Sequence, residues 1–318
     1  MLKMIFKNAF KKRVKKPYSG EMPKEEDFNF DLIEHYFKYK NHSSVFQIVD
    51  TQLINDVDLY ELFIFIDRTH SKIGQQYLYN LIHSINKTLY FEEQEALINY
   101  FTKHEDERIK IQSLFSKLNK RESYYISHLF LDGFVPKPKW FWVVRIFSIA
   151  GIVALLLTFL FNNFFILLIV TYIINILFYL WNKNNIMVYS DSIPQLLPLC
   201  KIAKELIRMN IIPKSEQNIL PAVHSINELK NKIKFFRNKT GLISELEALV
   251  LFLWEAVNIL FVIEPQIVFN VLGKLDKKGK ISKSCLNMSE KLTVRFQLLP
   301  CERVCRITVS QHCWILLK

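Results

Sequence analysis

Residues 140–181 limit what this chain can become more than any other stretch. They read WFWVVRIFSIAGIVALLLTFLF, then Asn162–Asn163, then FFILLIVTYIINILFYLW. As helices, Trp140–Phe161 and Phe164–Trp181 reach roughly 33 and 27 Å, close to the ~30 Å hydrocarbon core of a bilayer. A helix packed on a soluble core keeps a polar stripe, whereas these two are apolar on every face. The Asn pair between them suits a tight reversal, so the pattern predicts a transmembrane hairpin; a hairpin buried inside a large soluble protein is the competing reading. Trp140, Trp142, Tyr179 and Trp181 then fall at one interface, where amphipathic rings settle. Lys137, Lys139 and Arg145 flank the first span and Lys183 the second. That bias predicts a two-span protein of the cytoplasmic membrane with both termini cytoplasmic. Arg145 is close enough to the helix end to snorkel.

Outside the hairpin the chain is ordinary. Half of its 318 residues are hydrophobic, and the excess is concentrated in the hairpin. Only 7 Gly and 10 Pro favour long helices over turn-rich β architecture, so the expected class is all-α: a helical bundle interrupted by the hairpin. The net charge of +12 suits an anionic partner, either phospholipid headgroups or nucleic acid. Cys200 stands alone, while Cys285, Cys301, Cys305 and Cys313 crowd the end of the chain. A cytoplasmic setting argues against disulfides. The Cys301–Cys305 and His312–Cys313 spacing matches no standard zinc site, so no metal is expected.

Five regions follow. Residues 1–44 form a basic N-terminal segment and linker; Lys3, Lys7, Lys11, Lys12, Arg13, Lys15 and Lys16 lie among apolar residues, and no uninterrupted apolar run of signal-peptide length follows. Such a segment suits anionic headgroups, phosphate backbone or simply solvent. Residues 45–136 form a first helical part. There Asp58-x-x-Glu61 resembles a capping box ahead of an apolar face at Leu59, Leu62, Phe63 and Ile66. Ser71 can cap the next helix, with Ile73, Tyr77, Leu78 and Leu81 inward. Helical stretches at about 92–103 and 105–119 are charged on one side. The hairpin occupies 137–182, and a second helical part 183–274. Within the latter, Leu242–Phe261 has a spanning length but carries Glu245, Glu247 and Glu255, a costly load in lipid; it reads as a buried helix packed on the helices that precede the hairpin, with a third span as the competing reading.

Asn55–Leu59 and Phe65–Tyr79 carry a resemblance. The helix ending in Asp67-Arg68-Thr69, the short turn, and the helix opened by Gly74 with Gln75 and inward Leu78 resemble the start of the core (lever) domain in the MutS family. More closely, the chain looks like the membrane-anchored MutS-related proteins of bacteria, which share the Gly-Gln-Gln-x-Leu-Tyr form of Gly74–Tyr79, a Pro/Lys/Trp approach like Pro136–Trp142 and a hairpin within the helical domain. Leu246–Leu260 matches their late core helix more loosely, and the likeness covers about Val49 to Leu272. It implies structural roles: Asp67 and Arg68 pairing locally or holding helix ends, Thr69 or Ser71 capping, and Gly74 permitting close packing. It also implies DNA-associated work, mismatch repair or clamping of double-stranded DNA, by a homodimer that uses ATP and magnesium.

The ATP-binding part is not found. A P-loop needs Gly-x4-Gly-Lys-Ser/Thr so that backbone N–H groups and the lysine surround the phosphates. Gly273 with Gly279-Lys280 is one residue too long, and Ile281 stands where the hydroxyl belongs. From residue 275 the texture changes as well. A set of codons for Cys285–Ser310, read one nucleotide out of phase, gives a helical connector of the kind the related proteins carry there. The expectation is therefore a frameshifted tail over 275–318, with slippage in the run around Lys277–Lys280. As written, the chain is expected to be a non-enzymatic, truncated MutS-like anchor with no cofactor of its own. The alternative is a membrane scaffold that binds lipid headgroups and a protein partner.

Overall fold

The computed structural model describes residues 26–43, 45–86, 99–101, 103–131, 137–209, 219–235 and 245–277. The basic residues 1–16, most of the stretch at 92–103 and the tail from 278 lie outside them.

Asn29 opens the first helix, its side chain accepting from the Leu32 N–H at 3.1 Å. Helix α1 (Phe30–Tyr39) follows, with Ile33 and Tyr36 buried. The sequence reading left these residues in a linker, yet α1 packs against α4 (Lys72–His83) as part of the bundle. The inward positions 33 and 36 are only one helical step apart, too short a pattern to stand out from polar neighbours. Strand β1 (Val45–Ile48) pairs antiparallel with β2 (Ser84–Asn86), Val45 opposite Asn86 and Ile48 opposite Ser84. This small ladder, unannounced by the sequence, ties the two sides of the first helical part together.

Between the strands run α2 (Thr51–Asp56) and α3 (Leu59–Ile66). Asp58 does precede α3, but at φ 46° and without a side-chain cap bond, so the anticipated capping box does not form. Leu59 and Phe63 of the expected face are buried, whereas Leu62 is 41% exposed. Ser71 does cap α4, accepting from the Gly74 N–H at 3.1 Å. Next come α5 (Glu105–Phe115), whose first turn Glu105, Asp106 and Glu107 suits the positive helix N-terminus, and α6 (Tyr125–Leu131).

The remaining elements are α7 (Phe141–Leu160), α8 (Phe165–Ser192), α9 (Leu196–Arg208), α10 (Ile219–Glu228), α11 (Lys230–Phe235), α12 (Glu245–Phe261) and α13 (Ile263–Lys277). Among the described residues the fold is all-α apart from the ladder, with two helices apolar and long enough to cross a membrane, the one opening at Phe141 and the one opening at Phe165, and a bent pair, Phe252–Phe261 with Ile263–Leu275, that passes the same test only when taken together. A small core joins Ile33, Phe63, Leu78, Tyr79 and Tyr124. A larger one runs from Phe115 and Leu129 through Phe141, Ile186 and Leu199 to Phe269 and Leu272. Helix α4 serves both, giving Leu78 to the first and Ile73 to the second. In α9 the buried Leu196, Leu199, Cys200, Ala203 and Leu206 recur at helical spacing. Burial pushes the Cys200 thiol up to about 12, which leaves it protonated and unreactive.

Candidate functional site

The hairpin is built inside out. Gly151 and Ala154 of α7, with Thr171 and Asn175 of α8, are buried, and small residues there let the backbones approach, while Phe141 and Val144 at the start of α7 turn into the large core, the Phe141 ring 4.8 Å from that of Phe269. Bulky residues face outward: Ile149 is 61% exposed, Leu156 60%, Phe159 91%, Ile166 72% and Leu177 62%. The reversal at Asn162–Phe164 is a short 3-10 turn held by the Phe164 N–H on the Phe161 carbonyl at 3.2 Å. Thr158 and Thr171 return their hydroxyls to carbonyls one turn back, on Ala154 and Leu167, at 2.8 and 3.0 Å. Neither threonine hydroxyl is therefore left unpaired.

At the open end, Trp140 meets Trp181 edge-on with centroids 4.8 Å apart and stacks on Phe178 at 6.1 Å. Trp142 is 61% exposed beside them. Arg145 points outward one turn higher, exposed. Lys183 lies over the Tyr179 ring at 5.9 Å and Lys137 over the Phe141 ring at 4.7 Å. Burial, and then the nearby Arg145 charge, hold the Lys137 pKa below the usual lysine range. Of the five anchor residues singled out in the sequence, Trp140 and Trp181 touch; Trp142, Arg145 and Tyr179 ring the same end. Helix α8 does not stop at residue 182, where the sequence reading drew a boundary. It runs unbroken to Ser192, because neither Gly nor Pro interrupts it before Pro194.

The sequence reading is corrected at the segment that ends at Phe261. Helix α12 does not pack on the helices before the hairpin; it lies against α7 and α8 themselves. Its Leu249, Val250, Phe252, Leu253 and Val257 face outward, all at least 39% exposed. Its end is fastened by side chains of the hairpin. Ser148 Oγ donates to the Phe261 carbonyl and Asn175 Nδ2 to the Leu260 carbonyl, both at 2.6 Å. Gly151 leaves room for that carbonyl, since a Cβ there would stand 2.6 Å from Leu260 O. Val262 then takes φ 46°, a left-handed turn costly for a β-branched residue, and α13 departs at 69°. Asn258 Oδ1 accepts the Glu264 N–H at 3.0 Å, and Gln266 Nε2 donates to the Phe261 and Val262 carbonyls, each at 3.2 Å. The groups freed at this elbow are thus taken up by side chains. Tyr179 closes the joint by donating to Glu255.

The motif Asp67, Arg68, Thr69, Gly74, Gln75 and Leu78 lies elsewhere, in the bundle. Asp67 Oδ1 accepts from the Thr69 N–H and hydroxyl at 2.9 and 2.6 Å, and Asp67 Oδ2 from Gln75 Nε2 at 2.8 Å. Arg68 holds the end of α3, donating to the Phe65 and Asp67 carbonyls at 2.7 and 3.0 Å. Tyr124 donates to Gln75, and Lys72 pairs with Glu26. Burial first, then the Glu26 and Asp67 charges, push the Tyr124 hydroxyl well above its usual range, so it stays a donor. Gly74 is buried at the start of α4 and Leu78 reaches the small core. This is a buried polar knot with the geometry of a joint, in which Arg68 Nε is left without a hydrogen-bond partner. Among the described residues, no group of three or more His, Cys, Asp or Glu side chains could hold a metal ion.

No protein-family model, curated protein or solved structure matches this chain. Its reading therefore rests on its own geometry. The sequence missed the elbow, although Ser148, Gly151 and Asn175 were visible as the small and polar interruptions of the two apolar runs.

Proposed function

We propose that this chain is a membrane-anchored, non-enzymatic helical module. Helices α7 and α8 span the cytoplasmic membrane, the bundle stands in the cytoplasm, and both termini lie on that side. One observation carries the reading: a pair of helices with bulky apolar side chains outside and small or polar ones inside. Lys137, Lys139 and Lys183 at the open end support the orientation. The outward face of α12 continues the same apolar belt. Flotation with phosphatidylcholine vesicles after alkaline carbonate washing tests this; a protein left in the soluble fraction would sink it.

The second reading takes the module to be the lever and anchor of a MutS-like protein, dimeric and acting on double-stranded DNA in clamping or mismatch repair. The buried knot at Asp67–Gln75 favours it, because the residues that carry the resemblance act together as one structural joint. DNA affinity that falls steeply between about 50 and 200 mM salt supports this reading. No duplex binding at low salt leaves the scaffold, with lipid headgroups and another protein as partners.

A further inference from the structure

The elbow between α12 and α13 sits at the middle of the hairpin. Gly151, which the Leu260 carbonyl overhangs, lies halfway from Trp140 to Asn162. The bonds on either side of the turn both lead back to the open end. Leu260 is held at Asn175 and Glu255 one turn nearer that end, at Tyr179, while Phe269 of α13 reaches the Phe141 ring. A helix end in water leaves its last carbonyls to solvent, but this one does not. Asn175, Ser148 and Gln266 donate to the Leu260, Phe261 and Val262 carbonyls, and Asn258 accepts the Glu264 N–H. Pro265, in the first turn of α13, has no N–H to satisfy. Backbone needs capping of this kind at a depth that water does not reach. The faces of α12 agree with such a depth. Trp254, Glu255 and Asn258 turn inward, lining a cavity of about 270 Å³ with Tyr179 and Asn182 of α8, and the leucines, valines and Phe252 turn outward. A helix laid on a bundle in water carries these faces the other way round.

We propose that α12 and α13 form a re-entrant membrane element. Helix α12 enters the leaflet at the open end of the hairpin, the chain turns at Val262 near mid-depth, α13 leaves through the same surface, and acyl chains of that leaflet cover the outward face of α12. The return to one side follows from the flanks. Helix α13 ends in the large core, where it meets α11. The stretch 236–244 that joins α11 to α12 carries Arg237 and Lys239 and is too polar to cross the hydrocarbon. Height selects lipid as the occupant. Val257 lies between the Glu255–Tyr179 and Leu260–Asn175 bonds, level with Leu177 on the outward face of α8, which is 62% exposed. The carboxylates at the joint are paired, Glu255 by the Tyr179 hydroxyl and Glu264 by Asn258 Nδ2 at 3.2 Å, as groups at that depth must be.

This inference rests on the membrane reading of the hairpin, and the test keeps the two apart. The full chain, with Cys285, Cys301, Cys305 and Cys313 changed to Ser and only the buried Cys200 retained, receives one new cysteine at a time. Val257→Cys, Leu177→Cys and the bundle reference Lys201→Cys, all at exposed positions, carry a nitroxide in phosphatidylcholine vesicles. Oxygen, which concentrates in lipid, should relax the Val257 and Leu177 labels more than a water-soluble nickel chelate does, and the Lys201 label less. A Val257 label that behaves like Lys201 while Leu177 stays in lipid overturns the re-entrant element alone. A Val257 label shielded from both colliders is covered by protein, such as a second copy of the chain, and also overturns it. Leu177 in water refutes the membrane reading as well. The path is checked in intact cells with a membrane-impermeant maleimide on Leu249→Cys and Lys201→Cys. The same response at both sites upholds the return to one side, whichever way the hairpin points; labelling of one without the other makes the pair a crossing and overturns the proposal.

Discussion

The hairpin and the bundle use the same residue types in opposite places. In α9, Leu196, Leu199 and Leu206 are buried and Lys201 and Lys204 face water. In α7, Ile149, Leu156 and Phe159 face outward and Gly151 and Ala154 are inside. Apolar area removed from water is worth about 25 cal/mol per Å², so the first arrangement needs only an aqueous surround. The second gains nothing from water and is explained by an apolar surround, in which packing and hydrogen bonds rather than burial hold helices together. The polar knots differ in the same sense. Asp67 and Gln75 organise a turn among charged neighbours, whereas Ser148 and Asn175 cap carbonyls of a helix end beside an apolar belt.

The sharpest way to break this contrast is a charge on the outward hairpin face. Ile149→Asp lies near mid-span, where lipid charges about 2.5–3.5 kcal/mol for the carboxylate, and should abolish flotation with vesicles. In water the same exposed change costs within about 0.5 kcal/mol, so unaltered behaviour would refute the inside-out reading. The corresponding blow to the bundle is Asp67→Ala. It removes the carboxylate that accepts from Thr69 and Gln75, leaving them the longer bonds to the Ser71 carbonyl at 3.4 Å and to Glu26 at 3.3 Å, and should lower stability by about 1–3 kcal/mol in urea unfolding while leaving flotation intact. A loss of both at once would mean that the two regions are not separable.

Smaller effects sharpen the comparison. Gly151→Ala places a methyl against the Leu260 carbonyl and should cost about 1–3 kcal/mol, read as faster amide exchange at Leu260–Glu264 with the bundle unchanged. Mild acid should touch the bundle alone. His83 donates through Nδ1 to the Tyr79 carbonyl at 2.8 Å, and its buried Nε2 has no partner. Burial therefore holds its pKa below the ordinary value, against smaller opposing effects of the Tyr79 carbonyl and Glu34. The unfolded chain then binds the proton first. Stability should be greatest above about pH 6.5 and fall as pH drops through the lowered folded value. His83→Gln should flatten that slope in thermal unfolding; an unchanged slope would assign it to other groups.

What the sequence disclosed follows from how far each cause reaches along the chain. The two apolar runs, the Asn162–Asn163 reversal and the Ser71 cap depend on neighbours a few residues away, and all three were legible. The Asp58 capping box was a local pattern too, but it yielded to a left-handed backbone at that residue. The elbow depends on Ser148 bonding to Phe261, 113 positions distant, and on Asn175 bonding to Leu260, 85 positions distant. No periodicity within α12 records those partners, so its apolar length and three glutamates pointed to a buried helix instead. The cavity beneath it was hidden for the same reason, since its two walls come from separate stretches of chain.

The unbroken run of α8 from Phe165 to Ser192 has a mechanical consequence. Its 28 residues make a rod of about 42 Å with no internal joint, and the residues past Trp181 are already the wall of the bundle. On the membrane reading proposed above, a bilayer that thins or thickens changes the lean of such a rod, and the lean is delivered to the bundle's helices as rotation rather than absorbed by a hinge. On that reading the anchor and its cargo steer as one lever, and membrane thickness sets the angle at which the bundle faces whatever it meets.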